Sequence, residues 1–404
     1  MHNYGNSRYL VVPVNLVRNG NCCNCHKVAM VIHFHYLDTI EEYYSYILNI
    51  PDNIDVYITT SSEEVEKKCN ELYKKKRIKG IIRKKNSGRD ISALLVAAKY
   101  IFLQYEYIGF IHDKKAHTIE LKNDVTEWIY SLWHNMLASK EYITNLLDYL
   151  DKHSNVGLLI PPILLGNHLC YAIQNLWSNN LQNTKDLLKK IGANIDIDAT
   201  SSPMSIGTVF WARSLALRKL VMYDWSYNDF PIEPLPVDGT LNHAVERSLE
   251  YVAKDAGFET KWIMSDEYVA YQYEKMNAIL GDTLSVLKKC YGITSIAEVK
   301  KIEALQEIAN SNRNKKIYIY GAGKIGRLVN KVLNDMCVNV NAYVITKNNN
   351  NVMEMDGTQI VMIHELTVDE SDFFIVSVGK ENIQHEIKAI LYAKGVLYNN
   401  IHCW

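Results

Sequence analysis

The feature that most constrains this chain is an alternation of short apolar runs with amphipathic stretches, beginning near residue 27. KVAMVIHFHYL reads as a buried strand, DTIEEYYSYILNI as an amphipathic helix and NIDVYITTS as a second strand. SSEEVEKKCNELYKKK follows as a helix, with Ser62 placed to cap it ahead of the acids, and KGIIRKK as the next strand. Strands alternating with helices predict an α/β fold built on a parallel sheet. The pattern runs on through the helix ISALLVAAKYIFLQY, the strand YEYIGFIHDKK, the helices VTEWIYSLWHNML and KEYITNLLDYLDKH, and the buried strand VGLLIPPIL. Beyond an Asn-rich stretch reaching about Thr200, SIGTVFWARSLALRKL reads as a strand feeding a helix. DGTLNHAVERSLEYVAKDAGF reads as a helix with Asp238 as its N-cap.

A chain of 404 residues with 48% hydrophobic content can bury more than one core, and its length favours two or three domains. The formal net charge of -1 argues against a protein that coats nucleic acid. One local exception is the segment from Lys67 to Arg89, where eleven Lys or Arg face the single acid Glu71. It reads either as a basic surface turned toward phosphate or an anionic membrane leaflet, or as a solvated helix and loop. No apolar run approaches the roughly 20 residues that span a bilayer. The first residues lack a basic leader and a small-residue cleavage site, so the expected location is the cytoplasm. Eight cysteines, three of them at Cys22, Cys23 and Cys25, do not form the framework of a small secreted domain. Cys22-x-x-Cys25-His26 matches a haem-attachment pattern and could offer zinc three ligands. It is set aside because no export signal and no second ligand pair accompany it.

Candidate chemistry gathers where strands end. Asn86-Ser87-Gly88-Arg89-Asp90 lies between a strand and a helix, where glycine permits a tight turn and a helix start favours an anion. Some twenty residues on, the strand YIGFI ends in His112-Asp113-Lys114-Lys115. Ligands of open α/β sheets bind at such ends. Asp113 is placed there to bind a divalent cation, Mg or Mn, and Lys114 to meet a diphosphate without metal. The competing readings are an ordinary strand-to-helix loop and a turn-forming aspartate. His33 and His35 alternate on an apolar strand and read as structural.

The succession NSGRD, GFIHDKK, a following helix with tryptophan, IGTVFWAR, and FPIEPLPVDGTLNHAVER with AGFETKW behind it resembles the rhamnan synthesis protein F family over most of residues 27 to 270. The resemblance implies a GT-A-like, inverting nucleotide-sugar transferase for polysaccharide synthesis at residues 1–275. It is expected to work peripherally at the inner face of a bacterial membrane, with dTDP-L-rhamnose as donor and a lipid-linked glycan as acceptor. It implies that Asn86, Gly88, Arg89 and Asp90 line the donor, and that His112, Asp113 and Lys114 stand where such enzymes carry DxD. With one carboxylate in HDK, metal-dependent and metal-free grips both remain open. Asp238 is the first choice as the base that deprotonates the acceptor hydroxyl, and Glu246 the second. His243 and Arg247, four residues apart on one helix face, are expected on diphosphate or metal. Gly207, Thr208, Trp211 and Arg213 are expected to wall the sugar, with Phe210 in the core.

Residues 276–312 read as a helical connector, and 313–404 as a small Rossmann-like domain. Gly321-x-Gly323-x-x-Gly326 follows a strand and opens a helix. The next strand ends VITKNNNN, without the acid that a ribose needs, so no NAD is expected. A regulatory, nucleotide-sensing or assembly role is read for this domain. Two further readings of the whole chain stay open: a non-catalytic sugar-nucleotide-binding or assembly protein, and an oxidoreductase working through Gly321.

Overall fold

A computed structural model describes residues 8–16, 26–72, 78–115, 122–164, 176–232, 234–293, 295–347 and 352–404. Cys22, Cys23 and Cys25, and the centre of the basic segment at 73–77, lie outside them. Chain contacts divide the protein into two compact units, Met1–Tyr273 and Glu274–Trp404.

The first unit is built on strands β1 (Tyr9–Val12), β2 (Val28–His33), β3 (Asp55–Thr60), β4 (Ile78–Arg83), β5 (Tyr107–His112), β6 (Val156–Ile160), β7 (Phe210–Arg213) and β8 (Glu259–Ser265). They form one mixed sheet in the order β1-β8-β6-β7-β5-β2-β3-β4. All neighbours run parallel except β7, which is antiparallel to both β5 and β6. The expected parallel topology holds for the other strands, and the inversion of β7 makes the sheet mixed. β1 and β8 are further elements of the sheet; their half-exposed patterns carry little periodic signal.

Every residue of β2, β5 and β6 is buried, as expected for strands covered on both faces. Alternate side chains of one strand serve opposite cores. Ala29 and Val31 of β2 face a layer containing Ile108, Phe110 and Phe210, whereas Met30 and Ile32 face one containing Ile111, Trp133 and Trp211. Helices α1 (Tyr44–Leu48), α2 (Glu63–Leu72), α3 (Arg89–Ser92), α4 (Lys99–Gln104), α5 (Lys122–Leu137), α6 (Lys140–Lys152), α7 (Leu181–Lys190), α8 (Arg218–Met222) and α9 (Leu241–Asp255) cover the two faces. Ser62 caps α2 by accepting from the Val65 amide at 3.3 Å. α1 is shorter than the expected helix because residues 37–43 are spent on turns.

From α10 (Asp266–Tyr291) the chain enters the second unit. There α11 (Ile296–Ser311) buries Leu305 and Ala309 in the same core as Ile317, Val329 and Phe373. The stretch read as a connector therefore packs as part of this unit. Strands β9 (Ile317–Tyr320), β10 (Val340–Ile345), β11 (Glu354–Met355), β12 (Thr358–Met362), β13 (Phe373–Val376) and β14 (Ile401–Cys403) form a sheet in the order β11-β12-β10-β9-β13-β14, parallel except for β11. α12 (Lys324–Asp335) leaves the glycine turn, and α13 (Glu381–Ala393) precedes β14. A Cβ at Gly326 would lie 2.1 Å from the Gly321 carbonyl oxygen, so the third glycine is required for the helix to start this close to the strand. No helix among the described residues is long and apolar enough to cross a membrane.

Trp211 is fully buried, and its indole N–H donates to the Met136 carbonyl at 3.2 Å. Trp211→Ala is expected to cost about 3–5 kcal/mol in urea unfolding.

Candidate functional site

From β2 the chain moves outward through β3 to β4, then returns to the other side of β2 as β5. The connections diverge between β2 and β5, and a crevice outside their carboxyl ends is where an α/β sheet offers a binding site. His33 and His112 end these two strands and are paired in register. Around them gather Lys84 just past β4, Asp90 at α3, Lys114 past β5, and Glu246 on α9.

The loop NSGRD is held tightly. Gly88 is left-handed at φ 69°, and a Cβ there would sit 2.6 Å from Phe230 Cγ. Arg89 is also left-handed, at φ 47°. Ser92 donates to the Ser87 carbonyl, and Asn242 of α9 donates to the Gly88 carbonyl at 3.3 Å. Asn86 and Arg89 stay exposed, while Asp90 turns inward to within 3.7 Å of His112 Nε2. The helix expected after this loop is broken: four residues of α3 give way to a π-helical turn, Ala93–Ala97, before α4. Such turns recur at functional sites.

Asp113 was expected to hold metal, and the structure corrects this. Its carboxylate accepts from the His35 amide at 3.0 and 3.1 Å, the Tyr36 amide at 2.8 Å and the Thr39 hydroxyl at 3.0 Å. The group is spent on the loop after β2. Burial pushes its carboxyl up to about 6 against the pull of those hydrogen bonds. Next to it stand two buried atoms without a hydrogen-bond partner among the described residues, Asp90 Oδ2 and His112 Nε2, which face each other as an ion pair at 3.7 Å. No cluster of three or more His, Cys, Asp or Glu suited to a metal occurs among those residues.

Charge is concentrated here. Burial brings the buried Lys84 ammonium down to about 8, although Asp90 favours its charge. Lys84 donates to the Ser87 carbonyl at 3.2 Å. Lys114 lies 3.8 Å from the centroid of the Trp128 ring. Burial is also the main influence on His33, lowered to about 3 and so neutral at pH 7, and on His112, likewise lowered, although Asp90 pulls both the other way. Burial opposes an ionised Asp90, but His112 and Lys114 lead the neighbours that outweigh it and hold the group below the usual carboxylate range.

Glu246 is the carboxyl most suited to proton transfer. Burial first, then the charge of Asp90, push it up to about 7. The Gly207 amide hydrogen-bonds to it, and Arg247 Nη1 approaches at 3.4 Å. Gly207 and Thr208 thus belong to this pole, and the buried Thr208 hydroxyl has no partner among the described residues. The rest of that motif does not. Trp211 is core, and Arg213 pairs with the opposite end of β5, donating to the Val156 carbonyl and the Tyr107 hydroxyl at 2.9 Å each. On a strand, the side chain that begins a motif and the one that ends it stand at different poles, which corrects the expected sugar wall.

Asp238 also departs from expectation. Thr240, not Asp238, caps α9, in a box closed by the Thr240 amide donating to His243 Nδ1 at 3.4 Å, with Thr240 Oγ1 2.8 Å from the same nitrogen. Asp238 instead accepts from the Asn180 amide group at 2.6 Å and the Asn179 backbone at 3.1 Å. Burial works against its charge, but these bonds prevail and keep it below the usual carboxylate range, a poor setting for a base. His243 spends one ring nitrogen on the cap, and Arg247 anchors the Leu176 carbonyl at 3.1 Å. Lys84 was missed by the sequence reading. Its signal is position alone, a lysine directly beyond a parallel strand inside a run of cations.

At the switch point of the α/β sheet, where such folds place their binding sites, the structure gathers one carboxyl lifted toward neutrality and two lysines. Residues 3–258 match the family model described as rhamnan synthesis protein F, and the chain belongs to that family. Its place is in polysaccharide synthesis. Residues 313–401 match a second model, described as C2185-like, N-terminal. Xanthomonas campestris pv. campestris strain B100 has a relative described as uncharacterized protein WxcX. It is 26% identical over 237 residues, covering 57% of this chain and 32% of that protein. The WxcX of a second strain is 25% identical over the same shares. The chain spans about a third of the length of these curated relatives.

If Asp113 braces the crevice, Asp113→Ala removes three hydrogen bonds, those from the His35 and Tyr36 amides and the Thr39 hydroxyl. Each is expected to cost roughly 1–3 kcal/mol, read as a lowered urea midpoint; a metal ligand would lose activity at unchanged stability.

Proposed function

We propose that the first unit is an inverting, GT-A-like glycosyltransferase. It would move rhamnose or a related sugar from a nucleoside diphosphate, dTDP-L-rhamnose by preference, onto a growing lipid-linked cell-surface glycan. The observation that carries the reading is Glu246, a buried carboxyl lifted to about 7 at the same pole as Lys84, Lys114 and Asp90. Lys84, Lys114 and Arg89 offset the charge of the diphosphate. Glu246 takes the proton of the acceptor hydroxyl as that oxygen bonds to the anomeric carbon and the bond from carbon to the phosphate oxygen breaks. Attack from the face opposite the leaving group inverts the centre. Gly207 and Arg247 hold the Glu246 carboxyl in place. When bound, a divalent cation neutralises the leaving diphosphate further, and Asp90 with His112 would hold it.

The acceptor side and the membrane are part of the same proposal. The cations of the segment from Lys67 to Arg89 suit a peripheral approach to an anionic leaflet, and no nucleic acid is involved. The second unit is proposed as a regulatory or assembly module that takes no NAD. Thr346 and Lys347 follow β10, and no acid stands at its end for a ribose.

Removal of a general base slows a reaction by about 10²- to 10⁴-fold. Glu246→Gln is expected to lose transfer by that factor while calorimetry still registers donor binding, and Asp238→Asn to lose far less. Because the base must be ionised, the wild-type rate should rise with pH through about 7 and then level. Full activity in Glu246→Gln contradicts the assignment. A panel of dTDP-, UDP- and GDP-sugars tests the donor. Binding without turnover for every donor would favour a non-catalytic sugar-nucleotide-binding protein, a reading that the diversion of Asp113 to the loop also supports.

A further inference from the structure

Two buried, uncharged side chains near Glu246 hold polar atoms that meet no partner among the described residues: Asn242 Oδ1, in the first turn of α9, and Thr208 Oγ1, two residues ahead of β7. Asn242 Nδ2 donates to the Gly88 carbonyl at 3.3 Å. A carbonyl can only accept, so the amide nitrogen is fixed toward the NSGRD loop and the oxygen is turned away from it. Asn242 precedes Glu246 by four residues on α9, and residues four apart are neighbours on a helix face. An acceptor of fixed direction thus stands between the loop and the Glu246 carboxyl.

Thr208 comes to the same place from the sheet. Val209 and Trp211 face one core, Phe210 and Ala212 the other. Carried back one residue, this alternation puts Thr208 on the side of Phe210, the layer that holds Ala244, Val245 and Leu249 of α9. The residues just before it are tied to the Glu246 turn, because the Ser205 hydroxyl donates to the Glu246 carbonyl and the Gly207 amide bonds to the carboxyl. A buried polar atom without a partner is costly, and two of them beside one carboxyl call for a ligand that completes them. An amide oxygen and a hydroxyl suit a neutral partner, and the oxygen needs one that donates. The lysines of the crevice suit a diphosphate; the part of the ligand that lies along α9 therefore carries hydroxyls.

We propose that Asn242 Oδ1 and Thr208 Oγ1 each pair with a hydroxyl of the sugar ring carried by the nucleoside diphosphate, and that these two residues select which hydroxylated ring is taken. That the ring belongs to a sugar nucleotide rests on the transferase reading; the two unpaired atoms do not. A site built to pair with a hydroxyl rejects the analogue that lacks it, because the buried group is then left alone.

The test measures binding to the full chain by calorimetry, using dTDP, dTDP-L-rhamnose and analogues of the latter that each lack one ring hydroxyl. Thr208→Val removes a hydroxyl without a partner among the described residues, so it should hold the wild-type urea midpoint or exceed it. It should bind dTDP-L-rhamnose about tenfold more weakly, and dTDP as the wild type does. One analogue should bind the wild type about tenfold more weakly than the parent and lose nothing further in Thr208→Val, the mark of a direct pair. A second analogue should stand in the same relation to Asn242→Ala. That variant also loses the bond to Gly88, so the analogue series on the wild type is the readout that a loosened loop does not move. Equal binding of dTDP-L-rhamnose by wild type and folded Thr208→Val, or of every analogue by wild type, overturns the proposal and leaves the transferase reading standing. Weakening of dTDP itself to the same degree in the variants also overturns it, since the two groups then meet the nucleotide. Binding of neither dTDP nor dTDP-L-rhamnose defeats both.

Discussion

Asp113 is the residue on which the crevice depends. Its amide donates to the His33 carbonyl at 3.0 Å, its carboxylate gathers the His35 and Tyr36 amides and the Thr39 hydroxyl, and its own carbonyl receives His112 Nδ1. One residue thus joins the ends of β2 and β5, shapes the loop above them and sets which nitrogen of His112 faces Asp90. A carboxylate that accepts several neutral donors in a buried place is held there because each bond offsets part of the cost of burying it.

With that brace in place, the neighbouring groups divide the remaining work by environment. Asp90 and Glu246 are both carboxyls at one pole. The cationic side chains near Asp90 keep it ionised, and burial together with the Asp90 charge lifts Glu246. Two carboxyls driven apart in this way can serve different roles. Lys84 and Lys114 approach from different strand ends, one through a loop carbonyl and one over an indole ring, so cationic charge is present on two sides of the crevice. The two larger surface cavities, about 480 and 620 Å³, lie at the other pole beside Tyr105 and Arg213, away from this cluster.

Much of the fold was legible because buried strands and amphipathic helices announce themselves by period. β2, β3, β5 and β6 are visible as apolar runs, and the glycine turn of the second unit as Gly321, Gly323 and Gly326. β8 was not, since its half-exposed residues make neither a continuous apolar run nor a clean alternation, and β1 was not, since four residues are too few to show a period. The direction of β7 was not, because strand orientation is set by long-range pairing. The strand-end rule pointed to Asp90, His112 and Lys114, which the structure brings near one another, but residue type misled wherever a hydrogen bond decided the role. Asp113 and Asp238 are acids spent on backbone amides, and Arg213 is a cation at the wrong pole. Lys84 shows the reverse: a residue without a motif that the topology carries into the cluster.

The central claim is that a sugar nucleotide binds at the seam between β2 and β5. Hydrogen exchange with and without dTDP-L-rhamnose tests it most directly. The account predicts slowed exchange in residues 84–92, 112–115 and 240–247, with residues 103–107 and 213–222 at the other pole unchanged. Protection confined to that other pole, or to the second unit, would contradict it.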